Sequence, residues 1–120
     1  MKIAKTLKLS TYSCSVHIVV TDDLKNEVDK IYKKNNLSDR FEDDAEAVML
    51  TINLHNYYLI FDKDYLTHNT IAHEVFHVVI RITDDRDITD DEAQAWLTGY
   101  ITSVIYEFLD KKNLNIEHGG

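Results

Sequence analysis

The stretch Tyr65-Leu66-Thr67-His68-Asn69-Thr70-Ile71-Ala72-His73-Glu74-Val75-Phe76-His77-Val78-Val79-Ile80-Arg81-Ile82 decides how this chain is read. Leu66, Ile71, Val75, Val78, Val79 and Ile82 recur at helical spacing, with no Gly or Pro between them. A helix is therefore expected over 65–82, capped by Thr67 or Asn69. Inside it, His73-Glu74-Val75-Phe76-His77 reads His-Glu-x-x-His. Positions i and i+4 of a helix share one face, one turn apart. Two imidazoles so placed can offer nitrogen to one Zn²⁺, and the carboxylate between them can take a proton from water held on that metal. The expected chemistry is zinc-dependent hydrolysis with Glu74 as general base. The plainer alternative is a helix that carries two histidines and no ligand.

Downstream, the question is the third ligand, because a catalytic zinc normally takes three protein ligands and keeps one position open. After His77 the chain offers Asp84, Asp85, Asp87, Asp90, Asp91 and Glu92. Glu92, fifteen residues after His77, opens Glu-Ala-x-Ala-Trp, where small residues let two helices approach closely. It is the expected ligand, with Asp91 as the alternative. Thr89-Asp90-Asp91-Glu92 also reads as a capping box, in which Glu92 bonds back to the Thr89 backbone. A last helix is expected over 90–112, with Ala93, Trp96, Leu97, Tyr100, Ile101, Val104, Ile105 and Phe108 in an i, i+3, i+4 stripe. It is expected to pack on the metal helix through Trp96, Tyr100 and Val104, burying the indole.

Upstream, 2–9 alternates as a strand, with Ile3, Leu7 and Leu9 on one face, and 14–20 alternates more strongly through Val16, Ile18 and Val20. Thr21 is the expected cap of a helix over 22–34 that carries Leu24, Val28, Ile31 and Tyr32. Residues 38–44 are polar and acidic and read as a loop. The apolar runs 47–53 and 57–61 read as strands that Leu54-His55-Asn56 joins in a hairpin. With so little Gly and no Pro, the turns must be built from Asp, Asn and Ser. The expected fold is a single α+β domain over 1–120, with a small mixed sheet of about four strands and three main helices. His17 and His55 need no metal. His68, five residues before His73, points elsewhere on that helix and ranks below Glu92 and Asp91 as a third ligand. His118, before Gly119-Gly120, is expected to be disordered. Asp62 or Asp64 could accept a bond from a ligand histidine, but a solvated turn suits both.

Composition narrows the function. The 120 residues carry a net charge of −8 and no basic stripe, which argues against nucleic acid as a partner. Cys14 is the single cysteine, so an internal disulfide and a Cys-based zinc site are both excluded. No apolar run approaches the length of a membrane span, and 1–20 holds no signal-peptide core. The expected setting is the cytoplasm, the host's if the source is a virus. The expected partner is a peptide or protein substrate, not a membrane.

Thr70-Ile71-Ala72-His73-Glu74-Val75-Phe76-His77 followed by Glu92-Ala93-Gln94-Ala95-Trp96 resembles the gluzincin class of zinc peptidases. It is most similar to small bacterial and phage zincin-like proteins, including metallopeptidases of the ImmA/IrrE type. The resemblance covers roughly 57–108 and is specific at three residues. It implies a minimal zincin-like domain that hydrolyses peptide bonds. It also implies zinc on His73, His77 and Glu92, Glu74 as general base, and the strand at 57–61 along the substrate cleft. The chain departs from the pattern twice. The interval from His77 to Glu92 is shorter than in large gluzincins such as thermolysin. No His or Tyr matches their oxyanion-stabilising residue, and Tyr100 lies two turns beyond Glu92. The alternative function is a catalytically weak or inactive zincin-fold module that binds another protein.

Overall fold

The computed structural model describes residues 1–37 and 45–116, so the expected loop at 38–44 and His118 lie outside the described residues. In chain order the elements are β1 (Lys2–Leu9), β2 (Cys14–Thr21), α1 (Leu24–Lys34), β3 (Ala47–Asn53), β4 (Asn56–Asp62), α2 (His68–Asp85) and α3 (Asp91–Lys111). One-turn 3₁₀ segments lie at Ser10–Tyr12 and Lys63–Tyr65. The class is α+β, with one four-stranded mixed sheet and three α-helices.

The sheet order is β1-β2-β4-β3. β1 and β2 form an antiparallel hairpin, with Leu7 opposite Val16 and Leu9 opposite Cys14. β4 then joins β2 in parallel, Ile18 opposite Leu59. A parallel neighbour requires a crossover, which α1 and β3 supply before β4 returns. β3 closes the sheet antiparallel to β4. The two interior strands carry continuous apolar triplets, Ile18-Val19-Val20 and Leu59-Ile60-Phe61, all buried. Such runs fit strands covered on both faces. One face presents Val16, Ile18, Tyr57, Leu59 and Phe61 to α2 and α3. The other presents Val19, Leu50 and Ile60 to Leu24, Val28 and Ile31 of α1.

Thr67 caps α2, its hydroxyl accepting from the Thr70 amide at 3.0 Å. The helix starts and ends three residues later than the pattern predicts, because Lys63–Tyr65 forms a separate turn capped by Asp62. Asp23, not Thr21, caps α1; its carboxylate accepts from the Asn26 amide while Thr21 accepts from Asp23. α3 packs antiparallel to α2, as the pairs Thr83–Gln94 (3.3 Å) and His68–Tyr106 (2.7 Å) fix.

The packing face of α3 is not the expected one. Leu97, Ile101, Ile105, Phe108 and Leu109 are buried, whereas Trp96 is 77% and Tyr100 51% exposed. Val104 is half-buried at the rim of the core. The apolar stripe read from sequence merges two faces. Each residue turns a helix by about 100°, so Trp96 and Tyr100, one position before Leu97 and Ile101, look away from the core. Among the described residues no helix is long and apolar enough to cross a membrane.

Candidate metal centre

α2 lies on the sheet through Ile71, Val75, Val78, Val79 and Ile82. That seating fixes the rotation of the helix. His73, Phe76 and His77 turn outward and are exposed, while Glu74 turns sideways and is buried. The i, i+4 spacing brings His73 Nε2 and His77 Nε2 to 3.0 Å, with ring planes 75° apart. One ligand atom from each of His73, Glu74 and His77 lies within 4.8 Å of the others.

This donor set fits zinc. Two nitrogens each about 2.0–2.1 Å from a tetrahedral ion stand ~3.3 Å apart, so the pair needs to open by only a few tenths of an ångström. Burial pushes the Glu74 carboxyl above its ordinary pKa, while charge on His73 and His77 would pull it down. A carboxylate whose proton affinity burial raises is a stronger base than the same group in solvent.

A cavity of about 280 Å³ opens beside the cluster, lined by Glu46, Ala47, Asn69, Thr70, His73 and Glu74. Its far wall is the start of β3. The strand expected along the cleft, 57–61, is instead interior: β4 lies between β2 and β3, and Tyr57, Leu59 and Phe61 are core residues. The parallel crossover puts β4 inside the sheet, so its hairpin partner β3 takes the edge next to the histidines. Asn69 and Thr70 stand one helical turn before His73 and Glu74, a spacing visible in the sequence. Glu46 was not legible, because its place depends on how β3 docks.

Glu92 is not brought into this cluster. It is exposed in the first turn of α3, where its amide donates to Asp90 Oδ1 at 3.0 Å. The α2–α3 register sets Glu92 level with the end of α2, about eight residues or ~12 Å of helix rise beyond His77. Asp91 is likewise exposed and outside the cluster. The cap of α3 is Asp90 itself, not a Thr89–Glu92 box. Asp is as good a cap as Thr, and here it stands one residue nearer the helix. Tyr100 lines a surface cavity with Lys5, Thr6 and Leu7 of β1, across the sheet from the edge beside the histidines.

Among the described residues the other histidines are engaged elsewhere. His68 Nδ1 meets the Tyr106 hydroxyl, and His17 lies between Thr6 (3.0 Å) and Asn56 (2.9 Å) and stacks on Tyr58. His55 Nδ1 meets the Ser13 carbonyl at 2.8 Å. Cys14 is buried, and burial raises its thiol pKa, which suits a packing role. Comparison with protein-family models, with curated proteins and with solved structures finds no match to this chain.

Proposed function

We propose that this protein is a zinc-dependent peptidase of minimal zincin-like build. The observation that carries the reading is the pair of exposed imidazole nitrogens 3.0 Å apart with the buried Glu74 carboxyl in the same cluster. His73 and His77 would hold the ion, their Nε2 atoms being the pair that meets. Zinc, when bound, supplies a Lewis acid and a water acidified towards neutrality. Glu74 takes a proton from the attacking water and hands it to the leaving amine, and burial raises the basicity of that carboxyl. A substrate in extended form lies along the outer edge of β3, which no other described strand pairs, where Glu46 and Ala47 line the cavity with His73 and Glu74. Glu92, expected from the sequence as a ligand, joins only if the first turn of α3 moves towards His77 on metal binding. The register described above makes Glu92→Ala a variant that keeps its zinc.

Protein purified without added metal should hold near-equimolar zinc, and His77→Ala should lose it. Glu74→Gln should keep zinc and lose at least ~10²-fold in hydrolysis of a peptide found by library screening. Unchanged zinc in His77→Ala places the metal elsewhere, and equal cleavage by Glu74→Gln removes Glu74 from the chemistry. One observation favours the second reading, a zincin-fold binding module of weak or no activity: Glu92 stands outside the cluster, leaving two histidines as the assembled ligands. No cleavage of any library peptide by zinc-loaded protein would favour that module.

A further inference from the structure

The cavity between β3 and α2 is small and lined by polar groups. Its volume, about 280 Å³, falls just below the ~300–1,000 Å³ usual for small-molecule sites, so it suits a single side chain. Glu46 and Ala47 form one wall; Asn69, Thr70, His73 and Glu74 form the other. A peptide extended along the outer edge of β3 turns every second side chain to the same side. A residue next to the bond held at Glu74 therefore has this cavity to fill.

We propose that this cavity is a substrate subsite for a basic side chain, lysine or arginine, and that Glu46 selects it. The inference rests on the peptidase reading and adds the class of residue beside the cut bond. Among the described residues, none hydrogen-bonds the side chain of Glu46, Asn69 or Glu74. Glu74 is only 5% exposed, so an unpaired carboxyl lines the cavity from within the fold. The Thr70 hydroxyl is already paired with that of Thr67, at 2.8 Å. The Glu46 backbone is fixed, its carbonyl accepting from the Asp62 amide at 3.1 Å, while its carboxylate is left for a ligand.

The lining sorts the side chains that can enter. An acidic one would face two carboxyl groups. An apolar one would cover Glu46 and Asn69 and leave both unpaired, which buried polar groups resist. A neutral polar one can bond to either, without opposite charge. A cation bonds to Glu46 with the help of charge and to the Asn69 carbonyl oxygen as well. No Lys or Arg lines the cavity, so no residue of the lining competes for Glu46. Zinc does not reverse this order. His77 is not part of the lining, so an ion shared by His73 and His77 sits at the edge of the cavity. Glu74 stands beside it and offsets part of its charge, while Glu46 is on the opposite wall.

Binding to zinc-loaded Glu74→Gln, which holds peptides without cutting them, tests the subsite apart from the chemistry. The probes are labelled alanine-rich peptides with Lys, Arg, Gln, Leu or Glu at one central position, read by fluorescence anisotropy. Lys and Arg peptides should bind at least ~10-fold tighter than Gln or Leu, the scale of one charge-assisted hydrogen bond, and Glu weakest. Adding Glu46→Gln should level the series to within ~3-fold, and Glu46→Lys should reverse it. Glu46→Gln decides alone if Glu46→Lys does not fold. Glu107→Lys makes the same change of charge on α3, where Glu107 pairs with Lys111, and should leave the preference intact. Equal binding across the series, or none up to ~1 mM, would overturn the proposal. So would a Lys preference that survives Glu46→Lys, or one that Glu107→Lys removes as fully. Native protein should cut library peptides beside Lys or Arg. Cleavage without that preference overturns the subsite and leaves the peptidase reading standing. A preference that follows Glu46, with no peptide cut, supports the subsite and assigns it to the binding module.

Discussion

Glu74 shows what a buried carboxyl beside two imidazoles costs in stability. Burial raises its folded-state pKa above the unfolded value, so the folded protein binds that proton more tightly. The stability this provides is fully present below the unfolded pKa and is lost as pH rises through the folded one. With metal removed, Glu74→Gln should therefore be more stable than the native chain at about pH 7.5 and equal to it near pH 4. Urea midpoints in chelator at the two values measure this; a variant less stable at the higher pH would refute it. The same residue-scale reasoning separates two neighbours on α3. Leu97 is buried and Trp96 exposed, so Leu97→Ala should cost ~2–5 kcal/mol and Trp96→Ala less than ~0.5 kcal/mol in thermal or denaturant unfolding. The pairing of His73 with His77 was legible because it needs only the helical period. The place of Glu92 was not, because it depends on where one helix stops and how far the next slides along it.

At the scale of elements, the helix ends follow one rule. Each helix is followed by a residue of positive φ: Asn36 (φ 56°), Asp87 (φ 57°) and Asn113 (φ 55°). The next residue, apolar in each case, bonds back five positions: Leu37 to Tyr32, Ile88 to Thr83 and Leu114 to Leu109, at 2.8–3.0 Å. These are Schellman closures built from Asn and Asp in a chain with three glycines. The expectation that turns come from Asp, Asn and Ser holds here, and Ser13 (φ 53°) adds a fourth case between β1 and β2. The signal was present as Asn-Leu, Asp-Ile and Asn-Leu after each apolar run. An Asn tolerates the left-handed region better than most residues but less freely than Gly. Asn113→Gly should thus raise stability by up to ~1 kcal/mol, and Asn113→Val should lower it by ~1–2 kcal/mol. Matched denaturation curves decide; equal curves for all three chains would show that this end frays before the core unfolds. Strand identities were legible from alternation and apolar triplets. Their order was not, since β4 reaches the interior only through a crossover that no local pattern encodes.

For the molecule as a whole, Arg86 closes the end of the fold at which α2 finishes. Its Nε donates to the Tyr12 carbonyl at 2.6 Å and its Nη1 to the Tyr57 hydroxyl at 2.9 Å and the Ile82 carbonyl at 3.2 Å. Its Nη2 donates to the Leu54 carbonyl. Tyr57, fully buried, donates in turn to Asp85 at 2.6 Å. One guanidinium thereby ties the β1–β2 turn, the β3–β4 turn and the end of α2, which lie far apart in sequence. The planar fork of Arg can serve three directions at once; the single ammonium of Lys cannot. Removing it leaves carbonyls and a buried hydroxyl to find other partners, at ~1–3 kcal/mol for each group that water does not reach. Arg86→Ala should cost ~2–4 kcal/mol, and Arg86→Lys should recover less than half of that. Tyr57→Phe combined with Arg86→Ala should cost less than the sum of the two, because they share one bond, with a coupling of ~0.5–3 kcal/mol. The decisive measurement is hydrogen exchange. If Arg86 clamps the whole sheet to α2, its loss must lower protection across the interior strands β2 and β4 together. Lost protection confined to residues 10–13 and 53–56, with the denaturation midpoint unchanged, would reduce Arg86 to a local tie between two turns.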